Sequence, residues 1–457
     1  MTSPKRVLSI FSLVMINVIA VDSLRTLPIS ANLGYSLVSY YAFGALVFFI
    51  PVALVAAELA TAYPSTGGIY VWIREAFGKR MAFMTIWLQW VYNVVWYPTI
   101  MAFIVSTLAY LFDPNLANHK WYLLISMVSL FWLFTLLNCF GMKISSLVSN
   151  LGAVLGTIVP MVIIAVMGFI WVYLGKPLAM PFDKSTLLPD FSALGNLSLF
   201  SAVLFGLLGM EMSAVHAEEV QDPQRNYPRA LLYSTLIIFA TLVLGSLAIV
   251  MVVPQDALSM VSGLIDAYAI FFSAYHLDWL TPIIAVLIVL GAISGTSAWI
   301  IGPTKGLLVA ARDGCIPQKY TKTNSHGAPT SILVTQAVIF TLLTSLFTLF
   351  KTINAAYWIL SAMCAQMALL VYVFMFAAAI RLRHKKPNQR GAYRIPGGKI
   401  GLWLVALTGL VCCVFTTLLG FVPPTQVPIK NVFLFESFLI GGLAFFSVIP
   451  WFFVKKI

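Results

Sequence analysis

The sequence predicts an all-α polytopic membrane protein with twelve transmembrane helices, and three observations lead to that prediction. Of the 457 residues, 61% are hydrophobic and only 9% are charged, whereas a soluble protein carries roughly a quarter charged residues. Apolar runs of about 20 residues, the length that an α-helix needs to cross a bilayer, recur along the chain. The basic residues fall mostly in alternate loops between these runs, which is typical of polytopic proteins.

The apolar runs fill the chain from end to end, so we expect a single transmembrane domain over residues 1–457. The first run follows the basic start Lys5-Arg6 as in a secretory signal, but two charges and a proline interrupt it. No small-residue cleavage site follows, and the run is therefore interpreted as a retained helix. The predicted spans are 7–32, 36–62, 81–111, 121–140, 148–175, 193–217, 229–252, 279–310, 329–350, 354–381, 401–421 and 432–454.

The loops between the spans predict the orientation of the chain. With the amino terminus inside, five of the 27 Lys and Arg residues fall in outer loops, one falls in the first span, and the rest lie inside. The positive-inside rule therefore places both termini in the cytoplasm. This distribution accounts for the net charge of +12 without a nucleic-acid partner. The densest basic run, 381–399, is expected to be a solvated loop facing lipid headgroups.

Two of the predicted spans are interrupted. The first carries Pro28, which removes a backbone donor, within the stretch VDSLRTLP at 21–28, and the sixth carries Gly206 and Gly209. Unwound backbone at membrane depth persists only where it lines a cavity or packs on protein. Broken helices five spans apart indicate an inverted repeat with a site at the midplane. We therefore predict repeat one at about 7–175, repeat two at about 193–381, and two additional helices at about 401–454.

Three charged residues lie inside the interrupted spans. Glu211 in the sixth span is a functional candidate because a carboxylate at membrane depth is costly, although a buried structural acid would fit the same position. Asp22 and Arg25 in the first span are spaced to share one helix face. Two interpretations stay open for them: an internal ion pair that positions the break, or an acid that meets a substrate amine and an arginine that meets a carboxylate.

The remaining polar residues show no pattern typical of catalysis or metal binding. The five cysteines have no ligand spacing, so neither a metal nor a cofactor is predicted. No nucleophilic constellation or phosphate-binding loop is present, and an enzyme is therefore not expected. Glu58 is interpreted as part of a cytoplasmic network. Tyr70 and Trp72, which follow the turn-forming Pro-Ser-Thr-Gly-Gly segment, have the amphipathic character favoured at a membrane interface.

Four motifs resemble those of the amino acid–polyamine–organocation transporters, most closely the bacterial glutamate/GABA antiporter family. They are PSTGGIYVW at 64–72, FGLLGMEMSAVHAEEVQDPQRNYPRA at 205–230, SAWIIGPTKGLLVAARDGCIPQ at 297–318 and YRIPGGK at 393–399. The resemblance covers essentially the whole chain. It implies a leucine-transporter-like fold of five plus five helices that works by alternating access in the bacterial inner membrane. It also implies an amino acid or amine substrate, and it leaves a homodimer open.

The resemblance implies a substrate site at the two breaks. In such carriers the substrate carboxylate lies against half-helix N-termini, whose N–H groups and dipole favour an anion, and the amine meets carbonyls freed by the unwinding. By position, the residues implied are Asp22, Ser23 and Leu24 in the first span, and Phe205, Gly206, Leu207, Leu208 and Gly209 in the sixth.

Other side chains are assigned to the same site. The resemblance implies that Phe205 is an aromatic gate and that Glu211 responds to protons during transport. Trp299 matches an aromatic residue that flanks the substrate, although it could equally be a core or a lipid-facing residue. Gln89 and Tyr97 of the third span are expected to face the cavity. His216, near the inner end of the sixth span, is expected to be a surface or network residue.

The sequence also departs from the family. The first span reads VDSLRTLP where many relatives carry a glycine-serine-glycine break, so charges of both signs enter the expected site. The acid-resistance antiporters carry a C-terminal plug, whereas this sequence stops at Lys455-Lys456-Ile457, and we expect no plug. Exchange of glutamate/GABA-like amino acids is the leading function. Proton-coupled import of neutral or cationic amino acids or polyamines stays open, as does a non-transporting receptor on the same fold.

Overall fold

A computed structural model describes residues 8–65, 67–139, 152–190, 192, 194–213, 220–325, 327–345, 353–389, 391, 393–424 and 432–454. Within these residues the protein is helical, and the only strand-like pairing is an isolated bridge between Leu8 and Val220. Nine helices of the described chain are long and apolar enough to cross a membrane, and four shorter apolar helices accompany them. The prediction of an all-helical polytopic membrane protein is therefore confirmed.

The first half of the chain begins with a broken helix. Pro28 has no N–H with which to bond the carbonyl of Leu24, so one helical hydrogen bond is lost and an interruption of the helix is favoured here. The predicted span 7–32 is accordingly divided, with Asp22 to Arg25 outside helix. The helices are α1 (Ile10–Val21), α2 (Thr26–Ala31), α3 (Gly34–Ala62), α4 (Ile69–Phe77), α5 (Lys79–Ala109), α6 (Lys120–Cys139) and α7 (Gly152–Tyr173).

In the second half of the chain, the predicted sixth span is also interrupted. Its helical part ends at Gly206, and its residues 214–217 lie outside the described chain. The helices are α8 (Leu194–Gly206), α9 (Pro223–Val252), α10 (Gly263–Ala274), α11 (Thr281–Arg312), α12 (Thr330–Ser345), α13 (Ile353–Lys385), α14 (Gly398–Leu419) and α15 (Val432–Val454). The sequence did not predict α10, because its 12 residues are too few to span a bilayer.

The core of the bundle lies around α5. Of its most apolar stretch, 94% is buried, against 11% for α15, so α5 is an interior helix and α15 presents most of its surface outward. α5 packs against both α11 and α13. α11 also approaches α7 very closely, since a Cβ added to Gly156 would lie 2.2 Å from the backbone nitrogen of Gly291. The crossing of these two helices therefore requires glycine.

The basic end of the bundle, formed by residues 58–65, 67–79, 313, 383–389, 391 and 393–399, is held by ion pairs. Arg383 Nε donates to Glu58 Oε1 at 2.8 Å, and a second guanidinium nitrogen contacts Oε2 of the same carboxylate. Lys386 Nζ lies 2.6 Å from Glu75 Oε2. The expectation that the run 381–399 is simply a solvated loop is therefore wrong for Arg383 and Lys386, because carboxylates of α3 and α4 bind them. The network role predicted for Glu58 is confirmed.

The segment after Gly68 is also more deeply packed than the sequence predicted. Tyr70 and Trp72 lie on α4 and are 0% and 1% exposed, so they are interior residues and not interfacial ones. The hydroxyl of Tyr70 donates to Asp313 Oδ2 at 2.7 Å, beside the 2.8 Å ion pair between that carboxylate and Arg74. Tyr70 and Arg74 thus fasten α4 to the end of α11.

Candidate functional site

The first break leaves the end of α1 without its usual helical partners. The N–H of Asp22 still bonds the carbonyl of Val18 at 2.7 Å, but the helix does not continue. The hydroxyl of Thr26, at the start of α2, donates to the carbonyl of Ser23 at 2.6 Å and closes the turn. The carbonyl of Ala20 instead accepts a 2.8 Å hydrogen bond from the indole Nε1 of Trp299 on α11. A side chain from another helix therefore caps this end of α1.

The second break follows α8 and is built on glycine. Gly209 has a φ of +121°, a backbone conformation that residues with a Cβ rarely adopt. A Cβ on Gly209 would lie 2.9 Å from the carbonyl oxygen of Ala20 and 3.0 Å from the indole of Trp299. A Cβ on Gly206 would contact Thr26 of α2 at 3.4 Å. The two breaks therefore touch one another, as the inverted-repeat interpretation requires of a common site.

Arg25 is the cation of this region. Its side chain is 1% exposed, and its NH1 donates to three hydroxyls, those of Thr99 at 3.2 Å, Tyr357 at 3.1 Å and Ser361 at 3.3 Å. Its Nε has no hydrogen-bond partner. No ion pair in the described chain includes Arg25. A buried guanidinium that contacts hydroxyls but no carboxylate keeps an uncompensated positive charge.

Asp22 does not supply the missing negative charge. Its Oδ2 accepts a 2.8 Å hydrogen bond from the hydroxyl of Thr241 on α9, and its Oδ1 is buried without a partner. No ion pair joins Asp22 to Arg25 among the described contacts. The sequence left two interpretations open for these residues. The first, an internal ion pair between Asp22 and Arg25, is wrong for the described structure. Each of the two side chains keeps one buried polar atom without a hydrogen-bond partner, Oδ1 of Asp22 and Nε of Arg25.

Glu211 is the second buried carboxylate of the site and is 2% exposed. The hydroxyl of Tyr372 on α13 donates to its Oε2, while its Oε1 has no partner in the described chain. The same tyrosine oxygen accepts a 2.9 Å hydrogen bond from the N–H of Gly209. Tyr372 thus links the glycine turn of the second break to the acid.

Two cavities flank the first break and share one wall. They are narrow, with volumes of about 20 Å³ and 30 Å³. The first is lined by Asp22 and Leu24 and reaches Thr157 and Thr296. The second is lined by Phe205, Gly206 and Leu208. The residues that line both cavities are Ala20, Ser23, Arg25, Trp96 and Trp299.

Some of the predicted site residues lie elsewhere. Leu207 is fully buried, and its side chain would be 3.4 Å from a Cβ on Gly44 of α3. Gln89 and Tyr97 of α5 line neither of the two cavities. The ring of Tyr97 packs against Phe131 at 4.9 Å, and its hydroxyl donates to the backbone carbonyl of the Trp299 residue at 3.4 Å. His216 lies outside the described residues.

The α5 residues that do line a cavity are Tyr92, Asn93, Trp96, Ile100 and Phe103. They are spaced three to four residues apart, as residues on one helix face are. The sequence contains this spacing, but on an apolar helix it does not distinguish this face from its neighbours. The partners Tyr372 and Thr241 carried no signal in the sequence, since they lie 161 and 219 positions from Glu211 and Asp22.

Two interrupted helices that meet beside buried cavities inside a helical bundle are the arrangement of a secondary transporter. Residues 7–445 match the family model described as amino acid permease, and the chain belongs to that family. It is a multi-pass membrane protein, and the predicted membership in the amino acid–polyamine–organocation superfamily is confirmed.

Relatives similar over nearly the whole chain are named as transporters or antiporters. The chain is 65% identical over its full length to an uncharacterised transporter of Legionella pneumophila, of which it covers 98%. It is 28% identical to a glutamate/gamma-aminobutyrate antiporter of Lactococcus lactis, over 97% of the chain and 89% of that protein. A protein of the same organism named "Probable agmatine/putrescine antiporter AguD" is 24% identical, over 92% of the chain and 89% of that protein.

Proposed function

We propose that the protein is an antiporter of glutamate/GABA-like amino acids that works by alternating access in the bacterial inner membrane. The observation that carries this proposal is that the acid Asp22 and the base Arg25 lie beside the breaks without a described ion pair. Arg25 and Asp22 both line the first cavity, and each has an unused polar atom. A zwitterionic amino acid offers a carboxylate to the guanidinium and an ammonium group to the carboxylate. Relatives named glutamate/gamma-aminobutyrate antiporters support the same substrate class.

The breaks supply the rest of the binding site in this proposal. Unwound backbone around Ser23 and Gly206 offers N–H and carbonyl groups to the substrate. Phe205 is the gate, because it lines the second cavity and also a third, of about 10 Å³, that reaches Trp358 and Ser361. Movement of the Phe205 side chain would connect the second and third cavities or separate them.

The proposed architecture follows the sequence prediction. Twelve spans form two repeats of five helices, at about 7–175 and 193–381, and the two additional helices at about 401–454 complete one domain. The basic end faces the cytoplasm, together with both termini. The breaks in the two repeats would bind the substrate between two moving bodies, as alternating access requires.

Proton-coupled import of neutral or cationic amino acids or polyamines is the second candidate, and Glu211 favours it. This buried carboxylate has one oxygen free and no cation among its described contacts. An acid in such a position inside a membrane bundle is typical of a proton relay. In the exchange mechanism, the same acid would make the exchange rate depend on pH.

A counterflow assay in proteoliposomes tests the proposal. We expect purified protein to take up labelled glutamate only when the vesicles contain unlabelled glutamate or GABA. Uptake into empty vesicles that requires an inward proton gradient would contradict exchange and support proton-coupled import. An absence of uptake under both conditions, with protein shown to be folded by its thermal transition, would contradict both.

A further inference from the structure

The guanidinium of Arg25 lies inside a cage of aromatic rings. Its central carbon is 5.8 Å from the ring centroid of Trp96, 5.4 Å from that of Phe205 and 5.5 Å from that of Tyr357. All three distances are within the range of a cation–π interaction. The rings come from α5, α8 and α13, so the cage is assembled only when these helices pack together.

Cages of this kind are binding sites for cations, and ligand cations use them in the same way as protein side chains. Here the protein's own arginine occupies the cage, and three hydroxyls hold its NH1 in place. A cationic group of a substrate would therefore find the ring faces covered and would approach a like charge. In a buried site with a low effective dielectric constant, that repulsion is strong.

We infer that Arg25 determines the substrate class by filling a cation cage with its own side chain. It excludes substrates whose only charged groups are cationic, such as diamines and guanidino amines, and it selects substrates that present a carboxylate to its unpartnered Nε. This inference rests on the proposed function only in requiring that substrates enter the cavities beside the breaks. It distinguishes this chain from a carrier of agmatine or putrescine.

The inference predicts a gain of function. Arg25→Gln removes the charge, keeps much of the side-chain length and can still bond the surrounding hydroxyls, while Arg25→Ala empties the cage. We expect both variants to bind putrescine and agmatine at least about tenfold more tightly than the wild type, since the ring faces become free for a ligand cation. We expect affinity for glutamate and GABA to fall by about 100-fold, since the carboxylate loses its charged partner.

Lys176 provides a matched control. Its ammonium group lies 5.1 Å from the ring of Trp171 and 4.6 Å from that of Tyr275, in a second cation–aromatic contact that lines none of the three cavities described above. Lys176→Ala should leave substrate preference unchanged. A further variant, Phe205→Ala in the Arg25→Gln background, should reverse the gained putrescine affinity because it removes one wall of the cage.

Binding is measured by ligand-induced thermal shift and by titration of the purified proteins with glutamate, GABA, putrescine and agmatine. Wild-type protein that binds putrescine as tightly as GABA would overturn the inference, as would folded Arg25 variants with an unchanged preference. A wild type that fails to exchange amino acids while Arg25→Gln gains putrescine binding would refute the proposed function alone. Normal wild-type exchange with no gain in either Arg25 variant would refute the inference alone.

Discussion

The indole nitrogen of Trp299 donates a 2.8 Å hydrogen bond to the carbonyl oxygen of Ala20, and this bond ties α11 to the end of α1. In a continuous helix that carbonyl would accept from the N–H of Leu24, which the break removes. The same indole lies against Gly209, where a Cβ would be 3.0 Å from it. One side chain thus fixes the relative position of both breaks.

Trp299→Phe should therefore weaken substrate binding more than it weakens the fold. Phe keeps an aromatic ring that is smaller than the indole, and the buried carbonyl of Ala20 loses its partner, at a cost of about 1–3 kcal/mol. We expect about a tenfold rise in the KM for exchange and a modest fall in the melting temperature. Trp451→Phe, at an exposed position on α15, is the control and should change neither. An unaltered KM in Trp299→Phe would show that the bond does not position the site.

Gly209→Ala should abolish transport. The new methyl group would meet the carbonyl of Ala20 at 2.9 Å, and the positive φ adds strain of about 1 kcal/mol or more. Gly175→Ala separates the two effects, because Gly175 has a φ of +64° but nothing within 4 Å of its Cβ position. We expect the control to lower only the melting temperature. Exchange by Gly209→Ala at the wild-type rate would contradict the close contact between the breaks.

Glu211→Gln should remove the pH dependence of exchange. The amide oxygen still accepts from the hydroxyl of Tyr372, so the geometry is kept while the ionisable group is lost. We expect the wild-type rate to change about tenfold or more between acidic and neutral pH, and the variant rate to stay constant. Glu436→Gln, another glutamate in a membrane-spanning helix, should retain the wild-type profile. A persistent pH dependence in Glu211→Gln would assign the proton to another group.

The pair formed by Glu75 and Lys386 predicts how the stability of the basic end changes with pH. The hydrogen bond from Lys386 lowers the pKa of Glu75 from its usual value, and the same contact raises the pKa of Lys386. The contribution of ionised Glu75 to the free energy of unfolding is therefore present above about pH 4.5, and it is lost as the pH falls through the lowered pKa of Glu75. The lysine contribution is present up to about pH 10.5 and is lost above the raised pKa.

Glu75→Gln should thus lower the melting temperature at neutral pH, but not once the pH is below the pKa of Glu75. Because both side chains are about one-third exposed, the loss should be no more than about 1 kcal/mol. Lys386→Met should cost a similar amount, and the double variant should cost less than the two losses together. Strictly additive losses would show that the two residues do not interact in solution.

Several features of the site were predictable from the sequence because they are local. Pro28 favours an interruption of the first helix, and the paired glycines of the sixth span permit the turn at Gly209. The charged residues within those segments were recognisable because ionisable groups are costly in an apolar span. The motifs that resemble the transporter superfamily led to the same region.

Partner choice was not predictable in the same way. Spacing on a helix allowed an Asp22–Arg25 pair, but Arg25 instead contacts hydroxyls that lie 74 to 336 positions away. Arg383 was predicted to face headgroups, yet it binds Glu58, 325 positions away. Gln89 and Tyr97 of α5 were predicted to face the cavity, but Trp96 lines it instead. The sequence of an almost wholly buried helix does not indicate which of its faces lies at the site.

The sequence by itself therefore determined the class of protein, the membrane-spanning character of its helices and the position of both breaks. These properties follow from residue composition and from backbone chemistry within a few residues. Only the tertiary structure decided that Asp22 and Arg25 stay apart and that three rings surround the arginine. Those contacts depend on how α5, α8, α9 and α13 pack around the first break, and helical periodicity carries no information on the register between distant helices.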